Sequence, residues 1–161
     1  MFYRRRGRNL SVMKSKTKII RSPKQAERKL DKIADRLNGE DTVKVGLPKD
    51  SNAYPDGTSV VMVAAVHEFG SQKINVPQRS FLRSTVQSNK RRYTRIMIKL
   101  GASVLSGKTT PSQALEKLGL FVQTDVQSTI RKGVAPALKS REGTALWKTG
   151  HLIQSITYEV S

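Results

Sequence analysis

Apolar residues recur every three or four positions in three segments of the chain, and this spacing predicts three amphipathic helices. Ser22 and Thr110 are suited to cap the first and the third of them. The predicted helices begin at Pro23, Arg79 and Pro111 and stop at Gly39, Gly107 and Gly133. Their apolar faces contain, in order, Ala26, Leu30, Ile33, Ala34 and Leu37; Leu82, Val86, Tyr93, Met97, Leu100 and Val104; and Leu115, Leu118, Val122, Val126 and Ile130.

A fourth segment, VVMVAAVHEFG at residues 60–70, is apolar on nearly every side. The adjacent alanines and the terminal Gly70 favour a short helix capped by Ser59, and a buried strand is the competing interpretation. A helix that is apolar all round must be deeply buried or covered by another subunit.

Two segments, 43–47 and 156–160, alternate apolar with polar or small residues and predict two strands, the first closed by Pro48. Two strands are marginally stable alone, so we expect them to pair with each other and to pack under the helices. A hairpin from residues 50–60 is a candidate third partner, although residues 51–59 have the composition of a turn. The predicted fold class is α+β: a small antiparallel sheet packed against two long helices plus shorter helices.

The charge of the chain is strongly unbalanced. In 161 residues, 30 Lys and Arg oppose 12 Asp and Glu, giving a net charge of +18. Residues 1–24 contain nine of the basic residues and no acid, which predicts a basic N-terminal arm, residues 1–22, before one domain at 23–161. The electric field of so much positive charge attracts DNA and acidic protein surfaces alike, so the charge does not say which of the two is the partner. Candidate contacts are Arg4, Arg5, Arg6, Arg8, Lys14, Lys16, Lys18, Arg91 and Arg92.

The residues give no pattern for catalysis, a metal or a cofactor, so we expect none of the three. His67 and Glu68 are adjacent, whereas a helical zinc pair needs histidines four residues apart, and the chain contains no cysteine. The GKT at 107–109 lacks the preceding glycine of a phosphate loop, because Ala102 stands there. No apolar run approaches the ~18 residues of a membrane span, and no signal peptide is evident, so action in the cytoplasm, or in an assembly made there, is expected.

Three motifs follow one another between residues 43 and 160: AAVHEFG, then VPQRSFLR, and finally KTGHLIQSI, with Leu118-Gly119 in a helix between the last two. Their order and spacing resemble those of neck and tail-completion proteins of tailed bacteriophages, also described as head–tail connector or virion morphogenesis proteins. The matching positions are Ala64, His67, Glu68, Phe69, Gly70, Pro77, Arg79, Phe81, Leu82, Lys148, Thr149, Gly150, Leu152, Ser155 and Ile156. The basic arm lies outside the resemblance.

The resemblance implies a ring of identical subunits, a hexamer or dodecamer, in the neck or proximal tail of a virion. Its expected partners are further copies of itself, adjacent neck, portal-side and tail proteins, and passing double-stranded DNA. Phe69 and Phe81 are candidate aromatic anchors of the subunit interface, and burial in the core of one subunit is the equal alternative for each. The full set of candidate interface residues is His67, Glu68, Phe69, Gly70, Pro77, Arg79, Phe81, Thr149, Gly150 and Leu152.

Two alternatives remain open from the sequence: a terminator ring capping the tail tube, and a non-specific nucleic-acid-binding module that only the charge supports. A lumen carrying most of the charge would retain DNA rather than let it pass, because every neutralised phosphate releases counterions. We therefore expect the charge to be divided: some of it faces DNA, and much of it, including the arm, meets acidic surfaces of adjacent neck or tail rings.

Overall fold

The computed structural model describes residues 22–39, 41–51, 53–136 and 150–161. The fold is α+β, as predicted, and two of its helices are long. In chain order the elements are α1 (Pro23–Leu37), β1 (Val43–Gly46), α2 (Val60–Phe69), α3 (Leu82–Leu105), α4 (Pro111–Lys132), α5 (His151–Gln154) and β2 (Thr157–Val160). The predicted basic arm, apart from Ser22, lies outside the described residues.

The two predicted strands pair with each other in an antiparallel arrangement that places Val45 opposite Tyr158. Hydrogen bonds between the backbones of Thr42 and Ser161, at 2.7 and 3.0 Å, extend this pairing by one step. The sheet packs on α4, where the ring of Tyr158 lies so close to Gly119 that a β-carbon there would be 2.5 Å from Cδ2 of the ring. Gly119 therefore allows the sheet and the helix to approach each other.

Helix α4 is the central element, because α3 packs on it as well as both strands. Two of its glutamines also hold the chain between α5 and β2: Gln123 Nε2 donates to the carbonyl oxygen of Ile156 at 2.8 Å, and Gln127 Nε2 donates to that of Ile153 at 3.2 Å. The buried core joins residues of α2, α4 and α5 with those flanking α3 and β2: Val60, Ala64, Phe81, Val126, Ile130, Leu152, Ile153 and Ile156.

Several helix ends follow the predictions. The Ser59 hydroxyl accepts from the backbone of Met62 at 3.4 Å, and Thr110 forms a reciprocal capping box with Gln113. Gly70 follows α2 with a φ of 76°, a conformation that glycine adopts without strain. Ser22 stands at the N-cap of α1, although its side chain makes no capping hydrogen bond.

The predicted apolar face of α3 is partly wrong. Tyr93 and Val104 are buried as predicted, but Val86 and Met97 are exposed and the unpredicted Thr85 is buried. Thr85 can be buried because its hydroxyl lies 2.7 Å from that of Thr129 on α4, so the polar group keeps a partner. The helix also begins three residues later than expected, at Leu82 rather than Arg79. Assigning the face by apolar residue type alone missed a polar contact between helices.

Two further expectations differ from the structure. The described residues of the segment 50–60 form no strand before α2 begins at Val60. Residues 54–58 form a turn, in which Tyr54 N donates to the Thr58 carbonyl oxygen at 2.9 Å and Thr58 N donates to Asp56 Oδ1 at 2.9 Å. Helix α5 was not predicted, since its four residues are too short to show a periodicity.

Candidate functional site

The motif residues at the end of α2 and the start of α3 meet around one buried carboxylate, that of Glu68. Its Oε2 accepts a hydrogen bond from the backbone nitrogen of Leu82 at 2.9 Å, and its Oε1 accepts one from that of Arg83 at 3.1 Å. The Ser80 hydroxyl donates to Oε1 at 2.7 Å. The residue at the N-cap of α3, Phe81, makes no side-chain capping bond, so Glu68 takes the role of cap from the preceding helix.

Arg79 is the second buried polar residue of this junction. Its Nε donates to the carbonyl oxygen of Pro136 at 2.7 Å, and its backbone nitrogen donates to that of His67 at 2.7 Å. Among the described residues, no carboxylate lies within ion-pair distance of its guanidinium. Arg79 therefore ties the end of α2 to the chain that follows α4.

His67 faces this arginine from the last turn of α2. Burial lowers the pKa of His67, and the positive charge of Arg79 lowers it further. Nδ1 of its ring is buried and has no hydrogen-bond partner in the described part of the chain. A lowered pKa keeps the ring neutral at pH 7, which is the form that a site beside a buried cation accepts.

The chain between the two helices forms a tight hairpin. Ser71 and Val76 exchange backbone hydrogen bonds of 2.9 Å in both directions. Gln78 anchors the base of the hairpin, because its Nε2 donates to the carbonyl oxygen of Glu68 at 3.0 Å. At Gly70 an added β-carbon would lie 3.0 Å from the backbone nitrogen of Gln78, so a side chain there is disfavoured by space as well as by φ.

The same junction leaves apolar side chains outside. Phe69 is 70% exposed, whereas Phe81 is 1% exposed and belongs to the core, so the two predicted anchors have different roles. Met62 and Ile74 are also largely exposed. Met62 and Phe69 are seven residues apart and project from the same side of α2. We call Met62, Phe69 and Ile74 the α2 patch.

The remaining candidate interface residues lie in several places. Pro77 is exposed after the hairpin, and Leu152 is buried in the core. Gly150 precedes α5 with a φ of 71°, a left-handed conformation suited to glycine. Thr149 lies outside the described residues. The junction thus brings together the first two motifs, while the described part of the third motif serves the core.

The basic candidates on α3 differ in their surroundings. Arg92 Nη1 donates to both carboxylate oxygens of Asp125 on α4, at 2.9 and 2.8 Å, and the Tyr93 hydroxyl donates to the same carboxylate at 2.9 Å. Burial raises the pKa of Tyr93, and the bond to Asp125 raises it further. Arg91 is exposed, and no ion pair involves it among the described residues. The candidates Arg4, Arg5, Arg6, Arg8, Lys14, Lys16 and Lys18 lie outside those residues.

Sequence reasoning missed Met62 and Ile74, although the apolar residues on nearly every side of α2 were a signal that some of them would stay outside the core. The buried residues of α2 are Val60, Ala64 and Glu68, spaced by four, so this stripe faces the core. Because Glu68 occupies part of the buried stripe, apolar residues elsewhere on α2, including Met62, face outward. Ile74, in a hairpin of polar residues, gave no periodic signal.

No group of three or more potential metal-ligating side chains occurs within residues 22–39, 41–51, 53–136 and 150–161. In the same residues, no helix combines the length and apolar character needed to cross a bilayer. Comparison of the chain with protein-family models, curated proteins and solved structures gave no match.

Proposed function

We propose that this chain is a structural protein of a tailed-bacteriophage virion that forms a ring in the neck, joins the DNA-filled head to the tail and lets DNA pass. The proposal starts from the resemblance of the three motifs to neck and tail-completion proteins. The observation that carries it is the junction of α2 and α3, where buried Glu68 and Arg79 fix the backbone and Phe69 stays 70% exposed.

An exposed aromatic ring on a fixed backbone is a characteristic of surfaces that bind other proteins. Such an anchor loses little conformational freedom on binding and excludes much apolar area from water. The α2 patch adds Met62 and Ile74 to Phe69, all largely exposed in the single subunit. In a virion the α2 patch would be covered by another copy of the chain or by an adjacent neck or tail protein.

The test is a phage in which this gene is disabled, complemented from a plasmid. Loss of joining gives full heads beside tails of normal length in electron micrographs, and the protein is a stoichiometric component of complemented particles by mass spectrometry. Overlong tails would instead indicate a terminator ring on the tail tube. Absence of the protein from mature particles would overturn both structural roles.

A second candidate, non-specific binding of DNA, is favoured by the charge of α3. This helix contains six basic residues and no acid: Arg83, Lys90, Arg91, Arg92, Arg95 and Lys99. All six are exposed, but Arg92 pairs with Asp125 and Arg83 with Glu68. The other four are in neither ion pair of the described residues and are available to phosphates as well as to acidic protein surfaces. Binding to duplex DNA that weakens steeply with salt, by a protein missing from virions, would favour this function over the neck ring.

A further inference from the structure

Helix α1 has an apolar face that the described part of the chain leaves partly uncovered. Leu30 is 65% exposed, and Ala34, one turn further on, is exposed as well. The helix meets the described body of the protein mainly at α3, where Arg36 Nη1 donates to the carbonyl oxygen of Leu105 at 3.3 Å. The C-terminal end of α1 is therefore attached near the C-terminal end of α3. On the apolar face, Ala26 and Ile33 are half-buried, whereas Leu30 and Ala34 stay exposed among the described residues.

One side of this apolar face is bordered by a row of acids. Glu27, Asp31 and Asp35 follow one another at four-residue steps, and all three are exposed. At 1.5 Å per residue the row is about 12 Å long. Neither of the two ion pairs in the described part of the chain involves any of them.

The outer side of α3 has the matching row of bases. Arg91, Arg95 and Lys99 also follow one another at four-residue steps and are exposed, so this row has the same length of about 12 Å. The three bases, like the three acids, take part in neither ion pair of the described residues. Ile98, which is 67% exposed, lies beside them on the same helix.

We propose that α1 of one copy packs antiparallel on the outer side of α3 of a second copy, with Leu30 against Ile98 and the acidic row against the basic row. The inference rests on the proposed function in one respect, because a ring requires a repeated contact between copies. Complementary rows give such a contact its register and its choice of partner more than its affinity.

The direction of the helices distinguishes a second copy from the chain itself. Successive helix residues are rotated by 100°, so the acidic row lies on the same side of Leu30 as the basic row lies of Ile98 when each helix is viewed from its N-terminus. When Leu30 faces Ile98, two rows on the same side meet only if the helices are antiparallel. Within one chain, α1 ends where α3 ends, through the bond from Arg36 to Leu105. Folding α1 back along its own α3 would make the helices parallel and would separate the acids from the bases.

Cysteine crosslinking tests the contact without background, because the chain has no cysteine. Full-length Leu30→Cys and Ile98→Cys proteins are mixed and oxidised, and the disulfide-linked dimer is measured on a non-reducing gel. We expect at least fivefold more linked dimer than from a mixture of Leu30→Cys with Leu120→Cys, whose site on α4 is also exposed. Equal yields for the two mixtures would overturn the proposal. One chain carrying both Leu30→Cys and Ile98→Cys, linked within itself at low concentration, would overturn it as well.

Charge reversal tests the rows themselves. Adding Arg91→Glu, Arg95→Glu and Lys99→Glu to the Ile98→Cys protein is expected to reduce the yield of linked dimer at least fivefold. Adding Glu27→Lys, Asp31→Lys and Asp35→Lys to the Leu30→Cys partner is expected to restore it, which a general loss of folding would not do. Failure of this restoration would overturn the charge pairing. Failure of the neck function would be seen separately, as absence of the protein from virions, with the crosslink unchanged.

Discussion

The carboxylate of Glu68 caps a helix to which it does not belong, accepting a hydrogen bond from the backbone nitrogen of Leu82 at 2.9 Å. The resemblance made Glu68 a candidate interface residue and placed Leu82 in the motif that follows. The structure places Glu68 inside the subunit, where its bonds to the first turn of α3 hold the end of α2, next to the exposed Phe69, against that helix.

Replacing Glu68 tests this cap. We expect Glu68→Ala to lower the free energy of unfolding by about 2 kcal/mol, because two backbone donors and the Ser80 hydroxyl lose their acceptor. Glu68→Gln keeps one acceptor oxygen and should cost about half as much. Glu116→Ala, at an exposed glutamate of α4, is the control and should stay within about 0.5 kcal/mol of wild type in urea unfolding. Equal effects at the two glutamates would contradict the capping role.

Two helix glycines should respond to the same substitution with opposite signs. Gly119→Ala should destabilise the protein by about 1–3 kcal/mol, because its β-carbon would lie 2.5 Å from the Tyr158 ring. Gly101→Ala should stabilise it by about 0.5–1 kcal/mol, since no atom lies within 4 Å of the added carbon and alanine favours the helix. The unfolding temperatures of the two variants, compared with wild type, test both predictions. If Gly119→Ala unfolded at the wild-type temperature, the sheet would not need to approach α4 this closely.

Acid should weaken the fold through His67. Burial and Arg79 lower the pKa of His67 in the folded protein, so the unfolded chain binds a proton more readily. Stability should therefore fall as the pH drops below about 6.5, the ordinary histidine value, and the loss should continue to the lowered folded pKa. The free energy of unfolding, measured in urea between pH 7.5 and 5, should fall less steeply with decreasing pH for His67→Gln than for wild type. His151→Gln is the control: it leaves His67 in place, so the contribution of His67 to the pH dependence should remain. If His67→Gln left the pH dependence of stability unchanged, His67 would not be its source.

The exposed and the buried phenylalanine should separate assembly from folding. Phe69→Ser should keep the wild-type unfolding temperature but reduce complementation of a phage lacking the protein, because the α2 patch loses its aromatic ring. Phe81→Ala should destabilise the isolated subunit by about 3–5 kcal/mol. Phe121→Ser, at an exposed phenylalanine of α4 outside the patch, is the matched control and should complement normally. Normal complementation by Phe69→Ser would remove the α2 patch from the assembly.

The basic arm gives a prediction about salt. If the arm meets acidic protein surfaces, replacing Arg4, Arg5, Arg6 and Arg8 with Gln in the full chain leaves the salt dependence of duplex DNA binding unchanged. Each lost phosphate contact would reduce the slope of log K against log salt by about 0.9. Fluorescence anisotropy with a short duplex, measured from 50 to 300 mM salt, distinguishes the two cases. A slope reduced by up to about 3.6, for four lost phosphate contacts, would place the arm on DNA.

Local signals in the sequence were sufficient for most of the fold. The periodicity of α4, its capping residues and the alternation at 156–160 act over a few residues, and the structure confirms the elements they predicted. The roles within the site depend on contacts between distant residues. The burial of Glu68 requires the N-terminus of α3, fourteen residues away, and the burial of Thr85 requires Thr129 on another helix. From the sequence, Phe69 and Phe81 were each as suited to the core as to an interface, because only packing separates an exposed ring from a core ring.

Glu68 and Phe69 are neighbours in sequence, yet the substitutions that each position accepts should depend on different contacts. Glu68 binds main-chain amides of Leu82 and Arg83, which every non-proline amino acid supplies, so those two side chains can vary without regard to it. If Phe69 packs against another subunit, its replacements must be matched by changes in the surface that receives it. Among related sequences, the acid should therefore stay fixed, while the aromatic position should change in step with a site elsewhere in the assembly.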